Sequence, residues 1–519
     1  MDRYRNLLLF ILSFIVFVVV LSLGANYWIA KQLPVIINEE NDSPYQITFK
    51  NLEVSFLNRS LVATDIVLVP KKSMESEATR SGIYAKVKSV QIRRFKIIDL
   101  IFTDKLIAHS IQITRPEVIL YKHDQKIMND PKSISSKVVA PFSKIILVSE
   151  VDVTQADFKI LYVTNNEQIL HINNASVSIN GIVITDDVLE QKIPFGFDEY
   201  QIRFDSIYYR AGDIYDARAG KLNFSNDSLS LSNISYLPRV GRNTFVQNIP
   251  MEKDLFTVKA GKLHIDSIDW GYRDDKFYFH SKTVLLEAAA ANIYRPKMPP
   301  DDPSKKHLYS KQLRDIPFDL HIDKFVMRNA TVQYEEEKSD EAGPGLLSFN
   351  RFNMSAYNID SGFGKKKVPD VEIDIACQFM NVSKMNVRWT FNVLNKSDAF
   401  NIRGSIFKFP AEELTPFIKP YMNITADGML DKIYFNFSGN DNGAAGDFAL
   451  EYEDLKVNIL QKDREKKNKF LSAIANIFVK KDTKERLKET PVDVKRNQDR
   501  SFFNLLWISV QDGLKKLLL

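Results

Sequence analysis

Along most of the chain, apolar residues recur at every second position. Tyr45–Phe56 (YQITFKNLEVSF) sets Ile47 and Phe49, then Leu52, Val54 and Phe56, on alternate positions. A period of two marks a β-strand with one apolar and one polar face. Comparable runs follow at Ile83–Phe95, Leu106–Tyr121, Ile145–Val163, Ile169–Ile184, Lys221–Tyr236, Phe256–Tyr272, Phe318–Tyr334, Val371–Cys377, Val387–Val393 and Tyr434–Phe437. No series of helical periods intervenes between residues 50 and 455, so the pattern predicts a mainly β protein.

Within these runs a longer unit recurs. Ile111-x-Ile113-x-x-Pro116-x-Val118-x-Leu120 resembles Val151-x-Val153-x-x-Ala156-x-Phe158-x-Ile160-x-Tyr162, and both resemble Phe325-x-Met327-x-x-Ala330-x-Val332-x-Tyr334. Each is a short strand, a change of phase and a second strand. Because strand side chains alternate strictly, the phase change requires a bulge or a two-residue turn.

Two stretches depart from the period of two. Leu7–Ala25 (LLLFILSFIVFVVVLSLGA) has nineteen residues and no charge. A helix of that length measures about 28 Å and crosses a bilayer's hydrocarbon core. Arg3 and Arg5 precede it and Tyr27 and Trp28 follow it, so the positive-inside rule places Met1–Asn6 in the cytoplasm. The competing reading is a cleaved signal peptide. The run exceeds the usual signal core and lacks a clean small-residue cleavage site, which favours an uncleaved anchor.

The second stretch is the tail. Phe470, Leu471, Ile474, Ile477 and Phe478 are spaced as one helical face, and a charged connector, Lys480–Arg500, follows. Ser501 is placed as an N-cap for a helix that clusters Phe502, Phe503, Leu506, Trp507, Val510, Leu514 and Leu517 on one side. Two readings of this helix stand. It lies in a membrane interface, or it packs on the β body and covers a strand edge.

Polar breaks separate the β runs at Lys71–Arg80, Lys122–Lys137 and Glu335–Gly345, and Glu287–Asn292 (EAAAAN) reads as a helical turn. Proline density in Arg295–Gln312 marks a subdomain boundary. The predicted organisation is a cytoplasmic tail (1–6), a transmembrane helix with its interface (7–29), a first β region (30–294), a Pro-rich loop (295–315), a second β region (316–461) and a basic segment with amphipathic helices (462–519).

Composition changes this picture in two places. The net charge of +5 is local: Lys462–Arg500 holds thirteen Lys/Arg against seven Asp/Glu, leaving 57 basic and 58 acidic residues elsewhere. A balanced body argues against a nucleic-acid partner, while a basic tail suits anionic headgroups. One cysteine, Cys377, rules out an intrachain disulfide and a cysteine metal cluster. The seven histidines form no metal-ligand pair, and there is no nucleophile elbow or phosphate-binding loop. The expectation is a protein that is not an enzyme and has no cofactor or metal.

The layout resembles the AsmA-like family of bacterial envelope proteins, relatives of TamB and of bridge-like lipid transfer proteins. Three passages carry the resemblance. They are Tyr45–Pro70 after the anchor, Arg295–Tyr334 with its proline-rich loop leading into FDLHIDKFVMRNATVQY, and Asp427–Leu460 followed by the basic segment and the FFNLLW helix. The resemblance implies a long curved repetitive sheet, a β-groove or taco, apolar inside and polar outside. It implies a single-pass protein of the bacterial inner membrane, with the bulk of the chain in the periplasm. The implied activity is movement of phospholipid between inner and outer membrane, and the alternative is a scaffold or assembly factor for outer-membrane proteins. Implied partners are phospholipid, the inner membrane, and the outer membrane or an envelope protein met by the C-terminal helix. On this reading Ile111, Ile113, Val118, Leu120, Val151, Val153, Phe158, Ile160, Phe325, Met327, Val332 and Tyr334 line the groove.

Overall fold

The structure, a computed structural model, describes residues 31, 45–55, 58–71, 81–96, 106–122, 146–183, 196–339, 341–459 and 486–518. The expected anchor Leu7–Ala25 and the helical face at residues 470–478 lie outside the described residues. No helix among the described residues is long and apolar enough to cross a membrane. The chain divides into two compact units. Unit 1 holds residues 1–210 and 218–226, and unit 2 holds 211–217 and 227–519. The Pro-rich segment lies inside unit 2.

Unit 1 is built from β1 (Tyr45–Thr48), β2 (Asn51–Ser55), β3 (Ser60–Pro70), β4 (Gly82–Arg93), β5 (Leu106–Lys122), β6 (Ile146–Tyr162), β7 (Gln168–Asn180), β8 (Glu199–Phe204) and β9 (Ser206–Ala211). The short strands β10 (Tyr215–Ala219) and β11 (Leu222–Ser225) follow. Neighbours from β2 to β5 pair antiparallel, β5 and β6 pair parallel, and β6 to β8 return to antiparallel.

Unit 2 continues with β12 (Ser228–Pro238), β13 (Leu255–Asp266), β14 (Asp269–Arg273), β15 (Lys276–Glu287), β16 (Ala290–Pro296), β17 (Asp319–Glu337) and β18 (Gly345–Asp360). Then come β19 (Val371–Phe379), β20 (Ser383–Phe391), β21 (Phe400–Pro410), β22 (Ile424–Gly439), β23 (Gly443–Ile459) and β24 (Lys488–Lys495). Its helices are α1 (Arg242–Asn248), α2 (Tyr309–Arg314), α3 (Thr415–Met422) and α4 (Phe502–Leu518). Again one parallel step, β15 and β16 against β17, interrupts an antiparallel series.

Two local expectations are corrected. Glu287–Asn292 is not a helical turn. Glu287 ends β15, Ala288 holds φ +51°, and the chain resumes as β16. Tertiary pairing overrides the helix propensity of alanine here. The charged connector Lys480–Arg500 contains a strand, β24, paired with β23. Its charges and Pro491 sit on a last strand, where they suit a sheet edge.

The Pro-rich segment is tied down by charge. Lys297 pairs with Glu252 at 2.7 Å, Lys305 with Asp441 at 2.5 Å, and Arg500 with Asp301. Hydrogen bonds to Glu252 and to Arg500 hold the Asp301 carboxyl at about 2. Burial, with the Asp301 hydrogen bond, raises that of Glu252.

Candidate functional site

The recurring unit has a single backbone cause. In each copy, two consecutive residues point to the polar face, and the second of them is left-handed. Arg115 and Asn329 hold φ +50° and Gln155 holds φ +56°. That one residue shifts the alternation by one, so the apolar residues before and after it share a face. Met327 and Ala330, on either side of the pair Arg328–Asn329, pack in one apolar cluster. The small residue after the kink is buried at Pro116 and Ala330.

The same device recurs at Asp65, Asn174, Asn233, Ala288, Arg351, Lys408 and Asp454, at φ between +47° and +51°. L-residues enter this region at a cost, least for Asn and Asp, and none of these positions is β-branched. The sequence carries the matching pattern at Leu170-x-Ile172-x-x-Ala175-x-Val177-x-Ile179, a copy the repeat search missed. In unit 1 the kink residues find partners on the polar face. Asp65 accepts from Lys88 at 2.8 Å, Arg115 donates to Gln155 at 2.7 Å, and Asn174 donates to Asp205 at 2.7 Å.

The sheet register brings the expected groove residues together. Ile111 faces Val151, Ile113 faces Val153, Val118 faces Phe158 and Leu120 faces Ile160 across the parallel β5–β6 pair. The two repeats seen in sequence are therefore neighbours in space. Each pair extends into a row across the strands. One row runs Val54, Leu61, Ile92, Ile111, Val151, Ile179. The next runs Leu52, Ala63, Val90, Ile113, Val153, Val177, Ile202, Phe224. Beyond the kink come Leu68, Ala85, Val118, Phe158, Ile172, Ile207 and then Ile83, Leu120, Ile160, Leu170, Tyr209. Between the first two rows, on the opposite face, lie Gln91, Gln112, Asp152, Ser178 and Gln201.

All twelve predicted groove residues are half-buried, none in a sealed core and none fully exposed. Among the described residues of unit 1, one small cluster of buried residues, Val54, Leu61, Ile92, Phe95 and Ala108, closes over part of the face. On β17 in unit 2, Phe325, Met327, Val332 and Tyr334 share the inner face, and its last member departs from the apolar role. The Tyr334 hydroxyl donates to Glu336 at 2.7 Å, and burial followed by the Glu336 charge raises its pKa. The row ends on a buried carboxylate, not on lipid-like surface.

The C-terminal helix takes the packing reading. The Ser501 hydroxyl accepts from the Asn504 N–H at 3.3 Å, as an N-cap does. Phe502 and Leu505 are 4% and 1% exposed and join the large core of β19–β24. Phe502 stacks on Trp389 at 4.6 Å, and Trp507 meets Phe417 edge-on at 6.2 Å. Leu506, Val510, Leu514 and Leu517 pack against the same core, while Phe503 is 60% exposed. Sequence reasoning missed Leu505, Ser509 and Gly513, the residues that set how closely α4 sits. A Cβ at Gly513 would lie 2.5 Å from the Phe448 ring.

A polar cluster on β15, β17 and β18 is paired within itself. His280 bonds Asp319 at 3.0 Å, His321 bonds Asp360 at 2.9 Å and Asp323 at 2.8 Å, and Lys365 bridges Asp360 and Asp319. Burial works against the Asp319 charge, but bonds from Lys365 and His280 hold its pKa down. Among the described residues, no group of three or more His, Cys, Asp or Glu is placed to hold a metal ion. No protein-family model and no curated protein matches this chain.

Proposed function

We propose that the chain is a membrane-anchored lipid conduit of AsmA-like type, moving phospholipid between inner and outer membrane along an apolar sheet face. One observation carries the reading: in unit 1, four registered rows of apolar side chains, half-exposed except at the buried Val54, Leu61, Ala63 and Ile92, share one face, backed by a polar one. A lipid with two chains of about 15 methylenes each loses on the order of 24 kcal/mol on entering water, at about 0.8 kcal/mol per CH₂. A strip of apolar side chains offsets most of that cost without making or breaking a bond. On this proposal the protein is no enzyme, needs no cofactor, and takes any driving force from a partner. Its body lies in the periplasm behind a cytoplasmic N-terminus.

The covered apolar face in unit 2 favours the second reading, an envelope scaffold. Site-specific photo-crosslinking in intact cells separates the two. A benzophenone side chain at Val153 or Phe158 is expected to capture phospholipid, identified by mass spectrometry, whereas one at Asp152 or Lys159 captures little. Equal capture at both sets of positions, or none at Val153 and Phe158, overturns the conduit.

A further inference from the structure

On the polar face of unit 2 an open trough of about 960 Å³ crosses the strands from β17 to β24. Two rows of registered side chains wall it. One comprises Ser355, Asp374, Arg388, Arg403, Asn436 and Asp447. The other includes Asn353, Asn386, Ser405, Tyr434 and Glu489. Between the rows, Val387 and Phe435 turn their side chains the other way, into the core beneath α4.

The lining says what fits. The apolar side chains on its walls, Val326, Ala376 and Ala449, are scattered among polar ones in the same rows, so an acyl chain finds no continuous apolar strip here. Four cations (Lys324, Arg328, Arg388, Arg403) stand among three carboxylates (Asp374, Asp447, Glu489), a near balance that gives a polyanion such as nucleic acid little net grip. Arg388 already pairs with Glu372 at 2.5 Å. The strands' backbone groups are paired within the sheet, so a peptide cannot add as a strand on this face. Rows repeat at the strand spacing of about 4.8 Å, whereas one face of an extended peptide repeats at about 6.8 Å. What remains is a chain of short polar units without charge. Amide, guanidinium and carboxylate groups each offer paired donors or acceptors, which match vicinal hydroxyls. Tyr434, edge-on to Phe407 at 5.6 Å, adds an aromatic wall.

We propose that this trough binds a neutral, hydroxyl-rich glycan lying across the strands, independently of any lipid on the apolar face of unit 1. The test is calorimetric titration of the full chain in nanodiscs with maltohexaose and with chitohexaose. Saturable binding of at least one is expected, weakened roughly tenfold by Arg403→Ala or Asn436→Ala and weakened further by Ser405→Trp, whose indole obstructs the middle of the trough. Arg403 and Asn436 are exposed, so their replacement leaves the fold intact by circular dichroism. Val153→Asp, on the apolar face of unit 1, leaves glycan binding unchanged. Failure of both glycans to bind, binding indifferent to the trough variants, or occupation of the trough by a second copy of the chain in sedimentation overturns the proposal.

Discussion

Unit 1 and the last strands of unit 2 use the same strand pattern and finish their apolar faces differently. In unit 1, Ile113, Val153 and Val177 stand in register and stay half-exposed. In unit 2, the equivalent face beneath α4 holds Phe437, Phe448 and Leu450 at 1% exposure or less, sealed by Phe502 and Leu505. Alternation decides which residues share a face. It does not decide whether that face becomes a core or a surface. The difference here is a covering layer, α4 together with Phe417 and Ile418 of α3.

That contrast can be broken most sharply at the helix. Leu505→Ala is expected to destabilise unit 2 by about 2–5 kcal/mol, because a nearly sealed leucine leaves a cavity. Ile113→Ala in unit 1 is expected to cost about 1 kcal/mol, since much of that side chain already meets solvent. Urea unfolding measures both, and equal losses would erase the distinction drawn between the two faces. Next in size, Gly513→Val is expected to cost about 1–3 kcal/mol by forcing the helix off Phe448.

The kinks sharpen the comparison because both units share them. Asn329→Val places a β-branched residue at φ +50° and is expected to cost about 1–2 kcal/mol, while Asn329→Gly is neutral or stabilising. Arg115→Val and Arg115→Gly should repeat the result in unit 1, which tests whether the kink acts alike in both units. Cys377 reports on the covered side. It is buried, and burial pushes its thiol up to about 11. Labelling by a thiol reagent near neutral pH is expected only on unfolding, and rapid native labelling would mean that this core opens readily.

The smallest effect concerns the charged strap. Asp301 titrates below its unfolded value, so its contribution is present above about pH 4 and is lost as pH falls toward about 2. Glu252 is raised, so its contribution runs the other way, present at low pH and lost as pH rises through its folded value. Amide protection factors across residues 297–306, taken relative to the intrinsic exchange rate at each pH, should therefore fall only slightly on acidification. Asp301→Asn should remove the step.

Much of this was legible in sequence, and for definite reasons. The period of two found most of unit 1, and the repeat alignment anticipated which residues of β5 and β6 stand side by side. The kink was foreseen only as a phase change, since φ is not written in a residue type as permissive as Arg or Gln. The runs of period two leave out β3, β8, β9, β10, β15, β16, β18, β21, β23 and β24 and cover only part of β20 and β22. Asn, Arg and Lys at the kinks broke their alternation, and alanines in Glu287–Asn292 imitated a helix. Tyr334 was read as apolar lining because the run was ended there, although the period of two already puts Glu336, two residues on, on the same side. The polar trough was not anticipated, because its two walls come from strands spread over more than a hundred residues.

The left-handed kinks have a consequence for how such a chain can change over generations. Each kink must fall in line with its neighbours across the strands, so a single-residue insertion within one strand throws that strand out of step on both sides. Copying a whole hairpin, with its kink in place, preserves the line. The architecture is thus intolerant of small slips and permissive of large duplications, and a lineage built on it would be expected to vary in reach while keeping its cross-section constant.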